Sequence, residues 1–259
     1  MIGEKTFVIT EDNVDQVVVG ITNWMHSKVS SAGRKGIVLG MSGGLDCSVV
    51  AALCVGANIP VHLILMPYGL DMKKSSSEEH AMELIEKFDF SHHTFDIKPA
   101  VDALTISPDG ELFEEASESN LALAKANIRP RVRMTYLYQF AQLKSYFVAG
   151  TSNLSERMLG YFTKWGDGGS DINPLGLMTK QEVRIVARAL GVPESIIDKP
   201  PSAGLWEGQT DEDELGMTYD QIDSYILNAT SGSDEIDAII EGRIELSRHK
   251  FDGIPLFEG

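Results

Sequence analysis

Cysteine is scarce in this sequence. Only two occur in 259 residues, Cys47 and Cys54, seven positions apart in a segment that reads as helical. At a 1.5 Å rise per residue their Cα atoms would lie ~10 Å apart, beyond disulfide reach. No Cys/His cluster has zinc spacing, and reduced thiols suit a cytoplasmic protein. Long apolar runs are missing as well: none approaches the ~18 residues of a membrane span. The opening residues, MIGEKTFVITEDN, lack the basic and then apolar pattern of a secretory leader. A soluble, cytoplasmic protein is therefore expected. Positive charge is also in short supply, with 22 Lys and Arg against 38 Asp and Glu and a formal net charge of −16. A protein that coats duplex nucleic acid needs a basic face, so that class is set aside. Phosphate ligands are not, because a local site can be basic on an acidic protein; the general excess of acid is read as favouring solubility. Internal repeats and low-complexity linkers are absent. With 43% hydrophobic residues there is material for one large core, and a single domain over 1–259 is expected.

What is present is an alternation of short apolar strands with helices. Residues 11–31 carry Val14, Val17, Val18, Ile21, Met25 and Val29 at near-helical spacing, with Thr10 as the expected N-cap. Residues 36–41 read as a strand, 42–46 as a glycine-containing turn and 47–56 as a helix. The next strand is 61–66. The next helix is 76–88, opened by a capping box of Ser76 with Glu79. A weaker strand is expected over 93–97, and a helical region over 117–143 interrupted at Pro130. A strand at 146–149 precedes a short helix at 153–159. The helix from Thr179 to Leu190 is stopped by Gly191 and Pro193. This order predicts an α/β fold: a doubly wound, Rossmann-like, mostly parallel sheet with helices on both faces and further helices at the C-terminal end. Ligands in such sheets bind at the carboxyl ends of the strands. Residues 160–178 and 198–217 resist the alternation. They are too long for simple connections, and Phe162, Trp165, Leu205 and Trp206 argue for functional loops over disorder.

One motif follows the first strand directly: Ser42-Gly43-Gly44-Leu45-Asp46-Cys47-Ser48. A lone Ser-Gly-Gly can be no more than a tight turn. Between a strand and a helix, its glycines let the backbone approach a ligand, and the amides and helix N-terminus form an anion site. The Asp46 carboxylate would repel a phosphate there unless Mg²⁺ lay between them. The loop lacks the Gly-Lys-Ser/Thr of a Walker A motif. It resembles instead the PP-loop, SGGxDS, of the ATP-pyrophosphatase group, enzymes that cleave ATP between the α and β phosphates and adenylate a substrate. Cys47 departs from that pattern, where the group usually has serine. A thiol is the weaker donor, which leaves three readings: the neighbouring amides carry the contact, Ser48 compensates, or Cys47 is simply a small buried residue.

The loop alone does not choose among amide formation, thiolation and argininosuccinate-type chemistry. The second half of the chain does. It contains Gly150-Thr151-Ser152-Asn153-Leu154-Ser155-Glu156, then Gly160-Tyr161-Phe162-Thr163-Lys164-Trp165-Gly166-Asp167-Gly168-Gly169-Ser170-Asp171, then Thr179-Lys180-Gln181-Glu182. Lys199-Pro200-Pro201-Ser202 and Gly208-Gln209-Thr210-Asp211-Glu212 follow. From about residue 10 to 250 the chain resembles the NAD synthetases, and residues 127–141 match that family's arginine-rich helix. The resemblance implies that Gly40, Met41, Ser42, Gly43, Gly44, Leu45, Asp46 and Cys47 hold the ATP phosphates. Thr151, Lys180 and Ser202 also contact ATP. Asp46 and Glu156 would bind Mg²⁺, and Asp46 and Lys180 would be the catalytic pair. Arg131, Lys164, Asp171, His249 and Lys250 would bind deamido-NAD across a homodimer. Outside the resemblance, Glu156 and Lys180 would be ordinary first-turn helix residues, and Arg131 and the His249-Lys250 pair a solvated surface. The implied reaction is ATP-dependent amidation of deamido-NAD by ammonia through an acyl-adenylate, giving NAD, AMP and pyrophosphate. Ammonia is expected as the nitrogen source because no glutaminase domain or glutaminase-like cysteine context is visible. The runner-up is another adenylating enzyme of the same loop class, and a non-catalytic nucleotide sensor is a third reading. Neither explains GYFTKWGDGGSD or the intact Asp46, Glu156 and Lys180.

Overall fold

The structure is a computed structural model that describes residues 5, 7–70, 76–105, 116–201, 210–252 and 254–257. Among them a parallel sheet runs in the order β3-β2-β1-β4, with β1 at Ile37–Gly40, β2 at Val61–Leu65, β3 at Ser91–Thr94 and β4 at Phe147–Val148. Ile37 and Leu39 of β1 and Leu63 and Leu65 of β2 face one core, while Val38, Ile64 and Val148 face another. A sheet covered on both faces needs apolar residues at consecutive positions, and these strands supply them.

The first face is covered by α1 (Val14–Ser31), α2 (Leu45–Gly56), α3 (Ser76–Phe88), α8 (Lys180–Ala189) and α9 (Glu194–Ile197). The other is covered by α4 (Lys98–Leu104) and α6 (Ile128–Lys144), with α5 (Glu118–Ala126) leading into α6. A third core joins α10 (Asp211–Leu215), α11 (Tyr219–Asn228) and α12 (Asp234–Ser247) to Leu159, just after the short α7 (Leu154–Met158). The expected doubly wound α/β fold with appended C-terminal helices is what forms. Cys47 and Cys54 are both buried and unpaired on α2. Among the described residues no helix is long and apolar enough to cross a membrane.

Several boundaries differ from the sequence reading, each for a local reason. Helix α1 starts at Val14, not near Thr10, because the Asn13 carboxamide accepts from Thr10 N at 2.9 Å and holds residues 11–13 in a turn. The break in 117–143 falls at Asn127, not Pro130. Pro130 lies in the first turn of α6, where a helix asks for no N–H donor. Ser76 is the first residue of α3 rather than its cap. Strand β3 lies two residues earlier than expected and is exposed along its length, so burial left no apolar pattern to read. Residues 198–217 are not a bare loop, since Thr210 caps α10 within them.

After β1 the chain winds to one side through β2 and β3, and β4 then pairs on the other side of β1. This reversal opens a crevice at the carboxyl ends of β1 and β4, the place where doubly wound sheets bind ligands.

Candidate active site

The glycine loop fills one wall of that crevice. Gly43 has φ +74°, and a Cβ there would meet Ser77 O at 1.9 Å, so only glycine lets the turn press on α3. Gly44 stands at the N-cap of α2 without a side-chain cap bond. The first-turn N–H groups therefore keep their capacity for an anion, and the helix dipole favours one. Behind the loop, Ser48 Oγ donates to Gly44 O at 2.7 Å and Cys47 Sγ donates to the same carbonyl at 3.2 Å. Both side chains are buried. Of the three readings of Cys47, the small buried residue describes its surroundings, and Ser48 does not turn outward to compensate.

Facing this loop, three charged side chains from three helix starts converge. Lys180 Nζ lies 2.6 Å from Asp46 Oδ2 and 3.1 Å from Glu156 Oε1. Asp46 stands in the first turn of α2, Glu156 in the first turn of α7, and Lys180 is the first residue of α8. Each of the last two is fixed by a capping box, Asn153 with Glu156 and Thr179 with Glu182. Asn153 does a second job: its Nδ2 donates to Asp46 Oδ1 at 2.9 Å, bridging the crevice. Lys180 is only 3% exposed, and a charge so buried persists only when paired. Burial pushes the Glu156 carboxyl up to about 7, against the pull of Lys180 and with the help of the Asp46 charge. Burial alone would lower the Lys180 pKa; the Asp46 and Glu156 carboxylates outweigh it and raise the ammonium above its ordinary range. The Lys180 ammonium also lies 5.0 Å over the Tyr219 ring, whose hydroxyl donates to Asp211 Oδ2 at 3.1 Å.

Two carboxylates reaching one cationic point form a hard oxygen donor pair. Among the described residues no group of three or more His, Cys, Asp or Glu could hold a metal. A site with two protein carboxylates, completed by phosphate oxygens and water, is the kind a magnesium ion accepts.

Of the second expected set, Arg131 lines an open cleft of about 540 Å³ between α6 and residues 165–170, together with Met134, Tyr138, Trp165, Gly169 and Ser170 among others. Lys164 and Asp171 flank that segment in the chain, and Lys164, Asp171, His249 and Lys250 are not part of the lining. Arg131 Nε donates to Lys164 O at 3.3 Å. Asp171 is tied to the sheet: its Oδ2 accepts from Val148 N at 2.8 Å, and Tyr138 OH donates to its Oδ1 at 3.4 Å. Lys164 Nζ donates to His249 O at 2.6 Å. Lys250 Nζ donates to Gly160 O at 2.6 Å and Phe162 O at 2.8 Å, and Phe251 packs edge-on against Phe162. The C-terminal turn thus clamps the start of the loop. Gly160, at φ +62°, fits because a Cβ there would meet Ser247 Cβ at 2.1 Å. Lys250 is engaged with backbone carbonyls and His249 contributes its carbonyl, so this pair supports the loop within one chain. Thr151 stands beyond β4 on the path to Asn153, and Ser202 lies outside the described residues.

Sequence reasoning passed over Asn153 and Asp223. Asn153 had a signal, the N-x-x-E pattern ahead of an apolar helix start. Asp223 had none: its carboxylate accepts from Gln181 N at 2.9 Å, 42 residues away.

Residues 17–254 match the sequence profile of the NAD synthase family. The chain belongs to that family. The NH3-dependent NAD(+) synthetase of Syntrophomonas wolfei is 41% identical to it over 240 residues, 92% of this chain and 94% of that protein. Among solved structures, the NMN synthetase from Francisella tularensis superposes with a TM-score of 0.86 at 34% identity, covering 97% of this chain and 100% of that one. The NH3-dependent NAD synthetase from Campylobacter jejuni, solved with nitrate, gives 0.74 at 27% identity, covering 97% and 100%. The family's enzymes are ligases that carry out the last step of NAD biosynthesis.

Proposed function

We propose that this ligase joins ammonia to the nicotinate carboxylate of deamido-NAD, consuming ATP and releasing NAD, AMP and pyrophosphate. The observation that carries this reading is the Lys180 ammonium buried between Asp46 and Glu156 at the head of the glycine loop. A carboxylate is a poor electrophile, so it attacks the α-phosphorus of ATP, pyrophosphate leaves, and ammonia then displaces AMP from the acyl-adenylate. The residues 40–47 and the α2 N-terminus receive the phosphates, with Thr151 and Ser202 contributing to the nucleotide site. Lys180 stands where charge develops on the leaving pyrophosphate and stabilises it. Asp46 and Glu156 would hold Mg²⁺, which when bound supplies charge neutralisation for the pyrophosphate. Arg131, Lys164 and Asp171 orient the dinucleotide in the cleft, and residues 160–171 keep water from the adenylate. His249 and Lys250 reach deamido-NAD only by way of the loop they clamp, or from the second subunit of a homodimer. Exposed apolar side chains on α5 and α6, Leu123 at 60% and Leu143 at 77% exposure, are of the kind a subunit interface covers.

A second reading has one observation in its favour: the Francisella tularensis NMN synthetase is the better superposition of the two, at 0.86 against 0.74. The acceptor would then be nicotinate mononucleotide, activated by the same adenylation. Incubation with ATP, magnesium and ammonium, offering each acceptor separately, distinguishes them by chromatography. NAD with AMP supports the first reading, NMN with AMP the second, and ADP with phosphate overturns the adenylation mechanism common to both.

A further inference from the structure

Helix α11 carries Tyr219 of the site described above, and one turn further on a buried carboxylate of the same helix reaches the amide of Lys180 and the side chain of Ser155, the neighbour of Glu156. Asp223 is 4% exposed. Its Oδ1 accepts from Ser155 Oγ at 2.5 Å and from Lys180 N at 3.4 Å, and its Oδ2 accepts from Gln181 N at 2.9 Å. Ser155 Oγ in turn accepts from Lys180 N at 3.1 Å. Ser155 is fully buried and immediately precedes Glu156. The Thr179 hydroxyl is used on Glu182 N in the capping box, which leaves the first two N–H groups of α8 to Asp223. A negative charge is favoured at that helix end, and among the described residues no Lys or Arg forms a salt bridge with it. Tyr219 lies one helical turn before Asp223 on the same face. Its ring faces the Lys180 ammonium while Asp223 holds the Lys180 amide.

We propose that Asp223 is a positioning residue for the reaction: through Ser155 and the first amides of α8 it locks α7 to α8 and so sets the spacing between Glu156 and Lys180. The inference rests on the proposed role of those two groups at the ATP phosphates. Removing the carboxylate leaves the charged side chains present but lets their two helix starts drift. A shift of about 1 Å in a catalytic group costs on the order of 100-fold in rate with little change in ground-state binding.

The experiment is steady-state kinetics on the full chain, well below each variant's melting temperature, with Lys180→Met as reference. Asp223→Ala should lower kcat on the order of 30-fold and change KM for ATP by less than about 3-fold. Asp223→Asn should recover kcat to within about 5-fold of the parent, because its amide oxygen still accepts from Gln181 N and the Ser155 hydroxyl can turn to accept. The double variant Asp223→Ala/Ser155→Ala should be no slower than Asp223→Ala alone, since both act through one link. A folded Asp223→Ala with unchanged kcat overturns the inference, as does a fall in kcat that Asp223→Asn shares in full. If Asp223→Ala does not fold, Ser155→Ala decides: a kcat loss of about 5-fold supports the link, and parent-like kcat overturns it. Lys180→Met separates the two levels. Parent-like turnover there refutes the proposed site itself, whereas its collapse beside an unaffected Asp223→Ala refutes only the positioning role.

Discussion

The crevice and the cleft are built on opposite plans. In the crevice, Asp46, Glu156 and Lys180 stand in the first turns of three helices, the lysine buried and the two carboxylates half-buried, and they satisfy one another within 2.6 to 3.1 Å. Around the cleft, Arg131, Lys164 and Asp171 stand on a helix and an irregular loop, more open than Lys180, and apart from the Tyr138 hydroxyl on Asp171 their polar contacts run to backbone atoms. The difference follows from what each is proposed to hold. Charge that develops during reaction is stabilised best by groups fixed beforehand in a dry setting, where no reorganisation is needed. A large substrate that must enter and leave needs a wall that is supported but not sealed. Rigidity is therefore concentrated where charge changes, and adaptability where shape is read.

The sharpest way to break this comparison is Asp46→Asn. The substitution keeps the shape and leaves an oxygen for the Asn153 amide. It removes the charge that faces Lys180 at 2.6 Å and that, in the proposed reaction, Mg²⁺ would need beside the phosphates. Turnover should fall by at least ~100-fold, roughly 3 kcal/mol of transition-state stabilisation, with only partial rescue by excess metal. Steady-state assays across a magnesium titration measure this. Turnover near that of the parent would remove Asp46 from the charged machinery.

The two regions were also unequally legible. Strand and helix alternation, the glycine loop and the N-x-x-E and T-x-x-E helix starts are local patterns, and the crevice is assembled from them. The contact that completes it is not local: Lys180 and Asp46 are 134 residues apart, and Lys180 viewed alone is an ordinary exposed first-turn lysine. Asp223 is one of 38 acidic residues, and nothing adjacent marks it as buried. In the cleft, His249 and Lys250 look like a surface pair in sequence, while the folded chain spends the lysine on the carbonyls of Gly160 and Phe162. Strand β3, all Ser, His and Thr, was misplaced because it buries nothing that patterning could register.

A smaller effect separates direct from indirect residues within the cleft. Lys164→Ala should raise KM for deamido-NAD about 10-fold, the loss of one charge-assisted contact, while KM for ATP stays within about 2-fold. Lys250→Met should act through the loop. Two carbonyls lose their donor, so the melting temperature should drop by about 2–4 °C, as a 1 kcal/mol loss does at this size, and KM for deamido-NAD should rise less than in Lys164→Ala. Calorimetry and initial rates on both variants test the ranking. A larger KM effect in Lys250→Met, with no thermal shift, would place its ammonium on the substrate instead of on the loop.

The smallest effect belongs to the residue that departs most visibly from the PP-loop pattern. Cys47 Sγ points behind the loop, donating to Gly44 O at 3.2 Å and lying 3.4 Å from Ser42 Oγ. The Ser48 hydroxyl meets the same carbonyl at 2.7 Å. If the loop's amides and the start of α2 hold the phosphates, the side chain at 47 only braces the turn. Cys47→Ser then replaces a weak donor by a stronger and smaller one, so turnover and KM for ATP should remain within about 2-fold of the parent. Cys47→Ala gives up one weak hydrogen bond and some packing volume, about 1 kcal/mol of stability or less. Ser48→Ala should cost more than Cys47→Ala, because the shorter hydroxyl bond is the better of the two and its loss leaves the half-buried Gly44 carbonyl with only the thiol and the Ser48 amide. Urea unfolding of the three variants, with KM for ATP measured alongside, settles the order. A collapse of ATP binding in Cys47→Ala at unchanged stability would mean that the thiol faces the phosphates, and that the crevice relies on side chains where its geometry points to backbone.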